Sequence, residues 1–265
     1  MTPILLLGAG RMGGAMIDGW DLTAAFAPSA LIIREPQANP TVSKAQAGGA
    51  LLNPPDDVLG RAETVLMALK PQIWRAAADE IAPRLKPAAV VVSIAAGVPL
   101  SDLEQVFAGH PLARVMPTTG VAIAKGVASI FARDPGARAR AHELFESVAR
   151  CVDLDDEALI DAATAVSGSA PAYWYALIEA LESAAEAQGL PREAAQSLVR
   201  ATMIGAGALL EQTGEEPAEL RRQVTSPGGT TAAALEVFNG PRGFPGLAAE
   251  AVAAAVRRAK ELAKA

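Results

Sequence analysis

What this 265-residue chain has little of narrows its function before any motif is read. A single cysteine, Cys151, makes no internal disulfide and no thiolate metal centre. The two histidines, His110 and His142, stand beside none of the motifs found below and read as surface or packing residues. Basic side chains are the minority, 23 against 29 acidic, and the net charge of −6 excludes the electrostatic footprint of a nucleic-acid binder. Long apolar runs are missing too. The most apolar stretch, Ala201 to Leu210, lies between Arg200 and Glu211 and is too short to span a bilayer. The opening Ile4-Leu5-Leu6-Leu7 has no basic leader, so it does not read as a signal peptide. With 51% hydrophobic and 20% charged residues, disorder is excluded as well. The expectation is a soluble, cytoplasmic protein of one large domain or two modest ones.

The first half alternates short apolar runs with helical stretches. Strands are expected at Pro3–Leu7, Leu31–Arg34, Thr64–Leu69, Ala89–Ile94 and Ala113–Met116, each continuously apolar as in parallel strands buried on both faces. Helices are expected near Met12–Trp20, Gln72–Leu85 and Leu100–Phe107, with Pro71 at an N1 position and Pro99 or Ser101 opening the third. Val127–Ala132 and a helix over Ala137–Arg150 extend the rhythm, which implies a doubly wound α/β sheet. From Asp156 onward only helices are expected, at Ala172–Gln188, Pro191–Gln212 and Leu247–Lys264. Ala201, Gly205 and Ala208 give the second of these a small-residue face, and it is apolar around much of its circumference. A helix apolar all round must be buried, which predicts a dimer interface in this half; the alternative is burial against the N-terminal domain of the same chain. The division expected is 1–153 and 154–265.

Gly8-Ala9-Gly10-Arg11-Met12-Gly13 follows the first strand and opens the first helix, the context that a dinucleotide-binding turn requires. Gly8 permits the tight turn, Gly10 the approach of a pyrophosphate and Gly13 close packing of helix on strand, while N–H groups at the helix start receive the phosphates. The ribose-reading position falls at Arg34-Glu35, where an acid favours NAD and an arginine suits NADP. Arg34 is nearer the strand end, so NADP is favoured and NAD stays admissible. Ala68-Leu69-Lys70-Pro71 and Ser93-Ile94-Ala95-Ala96-Gly97 end strands and are candidate cofactor walls, with Lys70 balanced between a cofactor contact and a solvated charge.

Two further segments carry chemistry. Ser167-Gly168-Ser169-Ala170-Pro171 enters a helix with Ser169 placed to cap it. Val224-Thr225-Ser226-Pro227-Gly228-Gly229-Thr230-Thr231 leads into a helix expected over Ala232–Phe238. Bare backbone N–H groups and two hydroxyls there suit a carboxylate and a ring heteroatom, though a simple helix cap fits equally well. With these residues assembled, the chain resembles the pyrroline-5-carboxylate reductases. The likeness runs through the G-A-G-R-M-G start, Lys70-Pro71, Val92 to Val98, Met116-Pro117, Val166 to Ser169 and above all Ser226 to Thr231.

The resemblance implies an N-terminal Rossmann-type doubly wound sheet followed by an all-α C-terminal dimerisation domain that interlocks with a second subunit. That subunit completes the substrate pocket, in a dimer or a ring of dimers. It implies hydride transfer from NAD(P)H to the C=N carbon of 1-pyrroline-5-carboxylate, giving L-proline, with no metal and no strong base. Gly228, Gly229 and Thr230 would hold the carboxylate, Thr231 the ring nitrogen, with Ser226 and Ser169 supporting. Gly8, Gly10, Arg11, Met12, Gly13, Arg34, Ala68, Lys70, Pro71, Ala95 and Thr118 would contact cofactor.

The chain departs from the family at Thr118 and Gly120, where the family reads Asn and Pro: an amide is lost and the turn is expected to loosen. Pro245-Gly246 is expected to delay the last helix. A β-hydroxyacid dehydrogenase is disfavoured because no lysine lies between Ser169 and Gln188 to serve as base. A reductase of a related cyclic imine and a non-catalytic NADP-binding sensor are the remaining alternatives.

Overall fold

The computed structural model describes residues 3–37 and 39–262. They fall into two compact units, one of residues up to Gly168 together with 255–262, the other of Ser169–Ala254.

The first unit is built on one eight-stranded sheet, in the order β3-β2-β1-β4-β5-β6-β7-β8. Its strands are β1 (Ile4–Leu7), β2 (Leu31–Arg34), β3 (Leu51–Leu52), β4 (Thr64–Met67), β5 (Val90–Ser93), β6 (Leu112–Pro117), β7 (Gly126–Ala132) and β8 (Ala149–Asp153). The helices between them are α1 (Arg11–Thr23), α2 (Pro40–Ala47), α3 (Trp74–Ile81), α4 (Leu100–Val106) and α5 (Pro135–Phe145), with α6 (Leu159–Ala163) after the last strand. Strand alternation sorts the core into two layers. Ile4, Leu6 and Ile33 pack with Met16 and Trp20 of α1, Val42 of α2 and Phe145 of α5. Leu5, Leu7 and Ile32 pack with Trp74 and Ile81 of α3 and Leu103 of α4 on the other face. Both faces are covered, as the continuous apolar runs require.

Three features depart from the expected parallel rhythm. β7 pairs antiparallel to β6, because the link between them is a short 3-10 turn over Thr119–Ile123 that reverses the chain. Ala149–Asp153, its first two residues expected to end a helix, is the edge strand β8, and α5 stops at Phe145. β3 and α2 fill a stretch for which no element is expected; Asn39 caps α2 through Val42 N–H at 3.0 Å and Pro40 occupies its first position. Pro71 is not an N1 proline, since α3 starts only at Trp74 after a turn. Pro99 takes the N-cap position of α4.

The second unit is helical, with α7 (Ala170–Ala187), α8 (Arg192–Thr213), α9 (Pro217–Gln223) and α10 (Thr230–Phe238). α7 and α8 are clasped by an ion pair from Arg200 to Glu182 at 2.7 Å. Gly214, at φ +64, ends α8 in the left-handed conformation that glycine accepts. α11 (Phe244–Leu262) begins earlier than expected, because proline in a first helical turn sacrifices no hydrogen bond. The helix end expected at Lys264 lies outside the described residues.

Candidate functional site

The strand order of the sheet reverses between β1 and β4, and the carboxyl ends of these strands border the crevice where open α/β sheets bind ligands. The glycine turn leaves β1 there. Gly8 has φ +86, and a Cβ on it would stand 2.8 Å from the Ala68 carbonyl oxygen past β4. A Cβ on Gly13 would stand 2.1 Å from the Gly8 carbonyl oxygen, so only glycine lets α1 lie against its own turn. Around Gly10 the reverse holds, and a Cβ would meet nothing within 4 Å. The first turn of α1 carries no acidic residue and no side-chain cap. Its N–H groups at Arg11, Met12 and Gly13 precede the first helical bond, from Gly14 N–H to Gly10. Open space, bare donors and the positive end of a 13-residue helix fit a pyrophosphate.

Beside this turn is a cavity of about 500 Å³ whose wall includes Gly10, Arg11, Asp18, Glu35 and Asn39. Two side chains from the β2–α2 connection brace the glycine turn. Ala9 N–H donates to Glu35 Oε2 at 2.8 Å, and Asn39 Nδ2 donates to the Ala9 carbonyl at 3.0 Å. Arg34 stands off this cavity. Its guanidinium donates to Asp56 Oδ1 at 2.5 Å, and Arg84 holds the other oxygen of Asp56 at 2.8 Å.

The remaining expected cofactor residues fall at varied depths. Ala68 packs on Gly8 and Gly13, while Lys70 and Pro71 are exposed. Ala95 is buried, with its N–H on Ser93 Oγ at 3.3 Å, and Met12 packs against the core. Thr118 is only 7% exposed, and its hydroxyl accepts Val127 N–H at 3.0 Å. The turn after it is tight, not loosened: a Cβ on Gly120 would stand 2.6 Å from the Lys125 carbonyl oxygen, and Lys125 N–H donates back to Gly120 at 3.0 Å.

In the second unit, Ser226 to Gly229 forms a turn closed by Gly229 N–H on the Ser226 carbonyl at 3.1 Å, with Gly228 at φ +66. A Cβ on Gly229 would stand 2.4 Å from Ser226 Oγ, so the serine hydroxyl occupies the place of any side chain there. α10 starts at Thr230 with no side-chain cap and no acidic residue in its first turn. Its first helical bond is Ala233 N–H to Gly229, which leaves the N–H groups of Thr230, Thr231 and Ala232 without helical partners. Bare donors at a helix start, with the Thr231 hydroxyl in the same turn, are the arrangement that suits an anion. Ser169 sits at the N-cap of α7, but its side chain makes no cap bond. The reason is a π-helical turn over Thr164–Gly168 that runs straight into α7 and keeps Ser169 in helical backbone. Glu35 is expected only as one of two candidates at the ribose-reading position, and not as a brace of the glycine turn; Asn39 and this π turn are not expected, and the Asn-Pro pair at 39–40 is the one legible signal for them. Among the described residues, no three His, Cys, Asp or Glu side chains cluster to hold a metal ion.

Comparison with known proteins matches each part of the chain to a family model. Residues 157–262 match the family model described as pyrroline-5-carboxylate reductase dimerisation. Residues 3–97 match that described as NADP oxidoreductase, coenzyme F420-dependent. A pyrroline-5-carboxylate reductase of Pseudomonas aeruginosa is 39% identical over 99% of this chain and 98% of its own. The solved structure of a pyrroline-5-carboxylate reductase from Coxiella burnetii superposes with a TM-score of 0.90 at 29% identity, covering 98% of each chain. A pyrroline carboxylate reductase of Plasmodium falciparum, solved with NADP bound, gives 0.84 at 25% identity over 99% of this chain and 98% of that one.

Proposed function

The chain belongs to the pyrroline-5-carboxylate reductase family, and from that premise we propose how its own residues carry the reaction. It is an NADP-dependent oxidoreductase of proline biosynthesis that acts as a homo-oligomer. NADPH, when bound, supplies hydride to the C=N carbon of 1-pyrroline-5-carboxylate, giving L-proline.

Gly8, Gly10 and Gly13 bring the backbone N–H groups of α1 against the pyrophosphate, and Ala68 and Ala95 form the wall beside it. The start of α10, with the turn at Gly228 and Gly229, holds the substrate carboxylate through the N–H groups of Thr230 and Thr231; a charge placed there gains roughly 0.3–1 kcal/mol from the helix dipole. The Thr231 hydroxyl holds the proton at the ring nitrogen, and Ser226 keeps the turn closed over Gly229. A protonated imine is already an electrophile, so the residues contribute orientation and electrostatics in place of a strong base or a metal. A second copy of the chain completes the pocket over Ser226–Thr231, where most side chains are exposed in the single chain. We place the enzyme in the cytoplasm; no described helix is long and apolar enough to cross a membrane. The dinucleotide-binding part is assigned to 1–153 and the dimerisation and substrate part to 154–265.

The observation that carries this reading is the uncapped start of α10 behind Ser226–Gly229, in a chain alike over its whole length to reductases of this one substrate. It is tested by following reduced-nicotinamide absorbance with purified protein and pyrroline-5-carboxylate. Rapid decay with proline as product is expected; protein that binds the cofactor but turns over a different cyclic imine, or none, would overturn it.

A further inference from the structure

We propose that Glu35, and not Arg34, reads the adenosine ribose of the cofactor, and that its carboxylate holds back NADPH enough for NADH to serve as a working hydride donor. The inference rests on the reading of the chain as a nicotinamide-dependent reductase.

Strand alternation separates the two neighbours. Ile32 belongs to the core layer under α3 and Ile33 to the layer under α1 and α2. Continuing past Ile33, the alternation sends Arg34 to the α3 side, where Asp56 takes its guanidinium and Arg84 closes the same carboxylate. Glu35 follows onto the α1 side and lines the cavity beside the glycine turn. To reach a ligand there, Arg34 would have to abandon Asp56 and cross to the other face of the sheet.

The Glu35 carboxylate is fixed at both oxygens, by Ala9 N–H and by Gln37 N–H, each at 2.8 Å. Each oxygen keeps acceptor capacity for a ribose hydroxyl. The other charged groups in the cavity wall are Asp18, which accepts the Thr41 hydroxyl at 3.3 Å, and Arg11. Two carboxylates against one guanidinium leave the wall net negative. A 2′-hydroxyl is welcome there, whereas a 2′-phosphate meets like charge at short range.

The test is a titration of the intact protein with NADPH and with NADH, read by nicotinamide fluorescence without substrate. Glu35→Gln keeps an oxygen acceptor for Ala9 N–H and removes the charge; it should tighten NADPH about tenfold, or ~1.4 kcal/mol, and leave NADH within about threefold. Arg34→Ala should leave the ratio of the two affinities unchanged. Wild-type protein needs no variant for a second arm: raising ionic strength should improve NADPH relative to NADH, because screening weakens the repulsion. Equal shifts for both cofactors in Glu35→Gln would reduce Glu35 to a brace for the turn and overturn the proposal, as would selective loss of NADPH in Arg34→Ala. If Glu35→Gln does not fold, Glu35→Ser and the salt series carry the same expectations. Wild type that binds neither cofactor overturns the reductase reading itself.

Discussion

The sheet unit buries Trp20, Phe107 and Phe145 against side chains of its own chain, whereas within Ser169–Ala254 only Glu182, Ala195 and Gly243 are buried. Both units have regular elements, so the difference is not one of local propensity. The sheet unit closes its two core layers by itself, even tying the Trp20 indole N–H to the Leu144 carbonyl at 2.8 Å. In the helical unit, α8 leaves Ile204 72% and Leu198 56% exposed, with Leu209 and Leu210 also open. Tyr175 and Trp174 on α7 and Val237 on α10 are likewise exposed. Helices draw most of their stability from packing an apolar face, and an exposed apolar surface on this scale marks an interaction site. Its partner is a second copy of the same unit, as the match to the dimerisation family over this region requires. Thus one part of the molecule is a folded domain and the other is half of one.

The sharpest way to break this comparison is to charge the open face. Ile204→Arg should convert the oligomer to monomer in sedimentation and lower turnover by about 10³-fold or more, since an unpaired charge in an apolar interface costs several kcal/mol. Dinucleotide binding by the sheet unit should survive, because its core owes nothing to α8. An Ile204→Arg protein that stays dimeric would show that α8 faces something else.

How much of this was legible in the sequence follows the same line. Six strands of the sheet showed as apolar runs because burial on both faces leaves no polar residue to hide them. The edge strand β8 did not, since Ala149-Arg150-Cys151-Val152-Asp153 has one exposed face and continues a helical pattern. β3 is two residues long and offers no period to detect. The open face of α8 was readable because its apolar residues run around the helix with no partner in sight. Arg34 and Glu35 were not separable, because which neighbour faces the cavity depends on the strand's phase relative to α1, a tertiary fact. Gly120, expected to slacken a turn, instead admits the Lys125 carbonyl.

A smaller effect separates the work of the two units. If the start of α10 handles substrate and the glycine turn handles cofactor, Thr231→Ala should lower kcat about 10²-fold, the scale of one hydrogen bond to a reacting centre. Its affinity for NADPH should stay within about twofold of the parent. Loss of dinucleotide binding in this variant would mean that the helical unit holds cofactor, and the division of labour would dissolve.

The smallest effect probes how far self-burial reaches in the sheet unit, at its edge. Cys151 lies on β8, half-buried, and burial, with Glu146 and Asp153 adding to it, pushes its thiol up to about 11. Only the thiolate is a good nucleophile, and it forms as pH rises through that value. At pH 8 the thiolate fraction is therefore about 10²-fold lower than for a free cysteine whose pKa is 9.0. Alkylation by iodoacetamide at pH 8 should be slower than that of a free thiol by about that factor, quicken steadily toward pH 11, and leave turnover unchanged. Reaction at the rate of a free thiol at pH 8 would show that the edge strand opens to solvent, and the contrast between a self-sufficient sheet and an unfinished helical unit would then stop short of β8.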